Sequence, residues 1–192
     1  MRQQGYMFLV AVVCWFAANA VPLARSDVAV PSLDGVMVSP LGSTADITVL
    51  MFVTTDCPIA NRYAPEIRRI YEEFSEGVTF WLVYISDDKG QVGELTDHHD
   101  SFGFPMQGVR DLKNALVDVT GVTVTPEVAV YDTNQKLRYR GRINDRYVEF
   151  GVTRSAASTH DLRDVLSRLV AGEQVSYLET QAVGCYIPGV GD

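Results

Sequence analysis

Apolar residues recur along the chain with two different periods, and the switch from one to the other predicts an α/β fold. The run "ITVLMFVT", residues 47–54, is almost unbroken and rich in β-branched residues, as expected of a strand covered on both faces. From Pro58 the pattern changes: Ile59, Tyr63, Ile67, Ile70, Tyr71 and Phe74 recur mostly at spacings of three and four, with Gly77 behind them. That describes an amphipathic helix, which Pro65 in its first two turns is expected to kink or delay. "VTFWLVYIS", residues 78–86, returns to the buried-strand pattern, so strand, helix and strand make a βαβ unit with parallel pairing.

Downstream, residues 90–104 give a weaker helical pattern and residues 111–122 a short one ending near Gly121. "PEVAVYD" and "KLRYRGRI" read as two strands joined through Thr133, Asn134 and Gln135, a hairpin. A closing helix is predicted over residues 158–173, with Ser158 or Thr159 as cap, Leu162, Val165, Leu166, Leu169 and Val170 on one face, and Gly172 as stop. Ahead of the first central strand, "VPSLDGVMVSPLGSTAD" has short extended pieces broken by Asp34-Gly35 and Leu41-Gly42-Ser43, a hairpin-like lead-in. The predicted order is hairpin, β, α, β, α, α, β, β, α and a tail.

The N-terminus changes the domain picture. Arg2, the apolar run "YMFLVAVVCWFAA" and the triplet Ala18-Asn19-Ala20 have the form of a secretory signal cleaved after Ala20. The alternative, an uncleaved anchor, is opposed by a run of about 15 apolar residues where roughly 20 are needed to span a bilayer. The expected division is a signal over residues 1–20, a globular domain over 31–172 and a tail over 173–192. The exported chain, periplasmic or extracellular, is expected to make no stable membrane insertion after cleavage.

With 24 acidic against 16 basic residues the protein repels phosphate backbones, and Lys89, Lys113 and Lys136 are its only lysines. Nucleic acid is therefore excluded as a partner. Loss of Cys14 with the signal leaves Cys57 and Cys185 in a compartment where disulfides persist.

Cys57 falls where the first central strand meets its helix and is followed by Pro58; Thr125-Pro126 precedes the hairpin. In this combination the chain resembles the thioredoxin-like superfamily over roughly residues 31–172, and within it the redoxin branch of alkyl hydroperoxide reductases and thiol-specific antioxidants, the peroxiredoxin-like proteins. It departs from dithiol thioredoxins in carrying Asp56 for tryptophan and Ala60 for the second cysteine. It keeps the peroxiredoxin threonine as Thr54 but has Leu50 in the proline slot.

The resemblance implies a central mixed β-sheet flanked by helices, with an N-terminal hairpin and a C-terminal tail. It implies a thiol-disulfide oxidoreductase or peroxidase-like antioxidant enzyme with no cofactor, a thiol or disulfide reductant protein as partner, and a peroxide or protein disulfide as substrate. Cys57 would be the nucleophile, activated by the helix N-terminus and opposed by Asp56, with Thr54 orienting the substrate. A cis Pro126 beside Thr125, together with Pro58 and Arg142, would shape the substrate pocket. Cys185 would be the resolving thiol of a redox-active centre. The alternative is a non-catalytic binding or assembly module whose Cys57–Cys185 disulfide is structural.

Other polar residues have plainer readings. Arg138, Arg140 and Arg142 alternate onto one strand face, which fits a solvated hairpin surface. His98 and His99, as neighbours on a helix, point apart and do not favour a shared metal. Trp81 fits core or rim packing, and His160 an exposed position beside a helix cap.

Overall fold

The computed structural model describes residues 28–42, 47–85 and 92–190. The expected signal, residues 1–20, lies outside the described residues. The first half forms β1 (Val30–Pro31), β2 (Met37–Val38), β3 (Ile47–Val53), α1 (Pro58–Phe74), β4 (Val78–Ile85), α2 (Val92–Phe102), β5 (Gln107–Asp111) and α3 (Ala115–Thr120). It continues with β6 (Val124–Thr125), β7 (Glu127–Tyr131), β8 (Leu137–Gly141), β9 (Tyr147–Glu149), β10 (Val152–Thr153), α4 (Asp161–Val170), β11 (Leu178–Glu179) and β12 (Cys185–Tyr186).

The main sheet has six strands in the order β11-β8-β7-β3-β4-β5. β3, β4 and β5 run parallel, β7 is antiparallel to β3 and to β8, and β11 lies parallel to β8. This is a mixed sheet flanked by helices, with the β1–β2 hairpin at its N-terminal side, as expected from the sequence.

Every residue of β3 is buried, because successive side chains enter different cores. Val49, Met51 and Val53 join Ile59, Tyr63, Ile67 and Ile70 of α1 and Leu162, Val165 and Leu166 of α4. Leu50 and Phe52 point the other way and pack with Val83, Val109 and Leu116. α1 is continuous through Pro65, whose place inside the helix removes one backbone donor without ending it.

Three expectations are corrected. β5, "QGVRD", was not expected as a strand; it forms the parallel edge, and Leu33 lies so close over Gly108 that a β-carbon there would meet Leu33 Cδ1 at 2.6 Å. Neither Ser158 nor Thr159 caps α4: both backbone N–H groups donate to Asp145 Oδ1 at 2.6 and 3.0 Å, and His160 holds the cap position. Val170, assigned to the apolar face, is exposed at the end of that helix.

α3 shows how a short helix is started without a side-chain cap at its own cap position. Asn114 there is left-handed, with φ 54°, and offers no capping bond. Asp111, from the end of β5, accepts from the N–H groups of Ala115, Leu116 and Val117 at 2.7, 2.9 and 3.0 Å. Burial pushes its carboxyl up, and those three donors offset part of the cost.

Candidate functional site around Cys57 and Cys185

Cys57 closes the turn after β3. Its N–H points at Thr54 O at 3.4 Å, its carbonyl accepts from Asn61 N at 3.0 Å, and Pro58 begins α1, where a missing N–H costs nothing. The sulfur does not cap the helix; it donates instead to the carbonyl oxygen of Thr125 at 3.0 Å and is 0% exposed. Thr125-Pro126 is a cis peptide, and the hydroxyls of Thr54 and Thr125 lie 3.3 Å apart.

The C-terminal segment completes the arrangement. Past α4 it buries Val175, then β11 lies along β8 and Thr180 N donates to Arg140 O at 3.1 Å. Tyr139 and the N–H of Arg142 meet the Thr180 hydroxyl at 2.6 and 3.1 Å. β12 then pairs antiparallel with β6, Cys185 opposite Thr125 and Tyr186 opposite Val124. Ile187 N donates to Thr123 O, the Ile187 side chain is buried among Leu116 and Val122, and Asn114 Nδ2 donates to Pro188 O at 2.9 Å.

This register carries Cys185 Sγ to 2.7 Å from Cys57 Sγ across a separation of 128 residues. Burial first, then the neighbouring Cys57, pushes the Cys185 thiol up to about 12; the Asp56 carboxylate adds to the same effect. Gly184 permits the approach, since a β-carbon on it would stand 2.1 Å from Thr125 O and 2.6 Å from its carbonyl carbon. Both are backbone atoms with nowhere to go.

A hydrogen-bonded chain supports the turn from behind. Asn61 Nδ2 donates to Thr55 O at 2.9 Å, His98 Nε2 meets Asn61 Oδ1 at 2.9 Å, and Tyr84 hydroxyl meets His98 Nδ1 at 3.1 Å. His99 is committed elsewhere, to Met106 O at 2.9 Å. The two rings diverge as expected, but they are partly buried among Phe102 and Phe104 rather than on an open surface. Burial pushes the His98 imidazole down. Among the described residues no group of His, Cys, Asp and Glu is arranged to hold a metal.

The structure thus brings Cys57, Cys185, Thr54, Pro58, Thr125 and Pro126 together. Arg142 is engaged away from them, donating through Nε and Nη2 to the two Asp161 carboxylate oxygens at 2.9 and 3.2 Å. Its strand neighbours are likewise paired, Arg138 with Asp132 at 2.6 Å and Arg140 with Glu179.

A sequence profile described as thioredoxin-like matches residues 45–137. No protein in the curated set matches. Among solved structures, an uncharacterized conserved protein from Geobacillus kaustophilus superposes with a TM-score of 0.71 at 20% identity, covering 91% of this chain and 95% of the other. A hypothetical protein from Sinorhizobium meliloti 1021 gives 0.73 at 16% identity, covering 87% and 93%. A secreted Mycobacterium tuberculosis disulfide oxidoreductase homologous to E. coli DsbE gives 0.55 at 19%, covering 76% and 96%. These likenesses show a thioredoxin-like fold, with the profile match confined to residues 45–137, and none of them selects the peroxiredoxin branch.

The expectation of an oxidoreductase or antioxidant enzyme with a redox-active centre is overturned. Cys57 has no adjacent second cysteine, Ala60 standing in that place, and its partner is 128 residues away. Cys57 is fully buried beneath that partner, and Cys185 is held by strand pairing and a raised thiol rather than presented as a thiolate. Among the described residues no helix is long and apolar enough to cross a membrane.

Proposed function

We propose that the chain is a non-catalytic thioredoxin-fold binding or assembly module in which Cys57 and Cys185 form a structural disulfide. The observation that carries this reading is the register of β12 on β6, which seats Cys185 opposite Thr125 and over Cys57. Under the chain-entropy account, a bridge closing so long a loop contributes on the order of 4 to 5 kcal/mol. Thr54, Pro58, Thr125 and Pro126 then serve as the walls of the bridged site, and Arg142 braces the end of β8 against α4 through Asp161.

The module works outside the cytoplasm, in keeping with its signal-like N-terminus and with the secreted mycobacterial relative. Its acidic surface disfavours nucleic acid and suits a protein or small-molecule partner.

Peptide mapping of protein equilibrated at graded thiol potentials tests the reading. A Cys57–Cys185 peptide that persists in strong reductant is the expected result. Ready reduction at a mild potential, with the fold retained, overturns it.

A further inference from the structure

Away from the cysteines, a cavity of about 440 Å³ opens between the first half of α1 and the loop that joins β10 to α4. Its floor is fixed. Tyr63, buried in the core, donates its hydroxyl to Asn144 Oδ1 at 2.8 Å, and the same oxygen accepts from Arg146 N at 3.1 Å. The outer wall is fixed too, because Asp145 Oδ1 holds the N–H groups of Ser158 and Thr159, and Asp145 Oδ2 pairs with Arg154 at 3.2 Å.

The charge lining this cavity is opposite in sign to that of the protein. Among the described residues, Arg62, Arg69 and Arg146 line it with a single carboxylate, Glu66, which Arg69 already engages at 2.5 Å. Arg62 and Arg146 have no ion-pair partner among the described residues, whereas Arg138, Arg140, Arg142, Arg154, Arg163 and Arg168 all do. His160 also lines the cavity, and its Nδ1 is buried with no hydrogen-bond partner among the described residues. In a chain with a formal charge of −8, uncommitted guanidinium groups gathered over a hydrogen-bonded floor are positioned for an anion.

We propose that this cavity binds a compact multivalent oxyanion, carried by carboxylate or phosphate groups, with Arg62 and Arg146 as the forked donors and Arg69 and His160 as supporting ones. The size suits a small molecule, and guanidinium forks match the paired oxygens of both groups. The site goes beyond the structural reading of the cysteines and does not depend on their bridge.

Calorimetric titration of the full oxidised chain at low ionic strength, with pyrophosphate and separately with citrate, tests it. Saturable one-site binding is expected, weakened about tenfold or more in Arg62→Gln and in Arg146→Gln. Arg168→Gln, an exposed arginine already paired with Glu173, serves as the charge-matched control and leaves affinity within about twofold. Preference for pyrophosphate assigns phosphate groups as the source, and preference for citrate assigns carboxylates. Cys185→Ser binds the probe like the native chain, which separates this result from the fate of the disulfide. The proposal is overturned if neither probe saturates, or if Arg168→Gln weakens binding as much as the cavity variants do.

Discussion

Cys185 stands directly opposite Thr125 in an antiparallel pair, and Thr125 is the residue whose carbonyl accepts the Cys57 thiol. Backbone pairing on one strand edge therefore brings both sulfurs to the same place. If that pairing exists to hold a structural bridge, then Cys57→Ser, Cys185→Ser and the double variant should lose the same stability, about 4 to 5 kcal/mol in urea unfolding. Additive losses would show that the thiols act separately.

Gly184→Ala should detach the segment that follows. With the Cys57–Cys185 bridge reduced, the new methyl collides with the backbone of Thr125, so residues 184–187 leave the β6 edge and expose Ile187, a side chain worth about 1.5 to 3 kcal/mol when buried. Limited proteolysis reads this directly: cleavage after α4 accelerates in the variant while the six-stranded sheet stays protected.

The reduced protein should be a poor nucleophile at Cys185. A thiol pushed up to about 12 has little thiolate near neutrality, whereas a free cysteine titrates near ~8.5. Alkylation by iodoacetamide at Cys185, followed by mass spectrometry, should be slower than for an unfolded peptide of the same sequence and should still be rising at the most alkaline pH the fold tolerates.

Glu127 gives the stability profile a slope of known sign. Burial raises its carboxyl, and the donors at Thr123 N and Val124 N and the nearby Arg140 offset this only in part. The folded chain thus holds the Glu127 proton more tightly than the unfolded one. That contribution is fully present below the unfolded value of ~4.3 and is lost as pH rises through the raised one. Glu127→Gln keeps an acceptor for both N–H groups but cannot ionise. Urea midpoints taken upward from about pH 4 should therefore shift in favour of the variant relative to the native chain.

How much of this was legible in the sequence depended on how locally each feature was encoded. β3, α1, β4 and the β7–β8 hairpin carry their own periodicity, and the Cys57-Pro58 pair marks the turn, whereas the cis bond at Thr125-Pro126 is implied only by the family resemblance. β5 did not show, because its five residues include Gln107, Gly108 and Asp111, and their roles are set by what lies across from them: Trp81, Leu33 and the start of α3. Ser158 and Thr159 look like α4 caps in the sequence, but their backbone N–H groups are held by Asp145 and the Thr159 hydroxyl by Asp161, contacts no helix-start pattern contains. Residues 62 and 146 offered only two more arginines; nothing local says that both face Asn144. The resemblance that suggested an enzyme rested on the turn around Cys57, and the chemistry it implied fails on Ala60 and on the burial of the sulfur, the second of which only the fold reveals.

The strand edge beside Pro126 has a further consequence when viewed as a competition. A chain that carries its own ligand on a short tether presents it at an effective concentration in the millimolar range, without any contact of unusual strength. Residues 184–187 are such a ligand, joined to the domain through β11 and, in the oxidised chain, through the proposed Cys57–Cys185 bridge as well. Even with the bridge reduced, an outside peptide with micromolar affinity for that edge would have to be supplied well above its own dissociation constant before it displaced them, which points a recruited partner to a different surface.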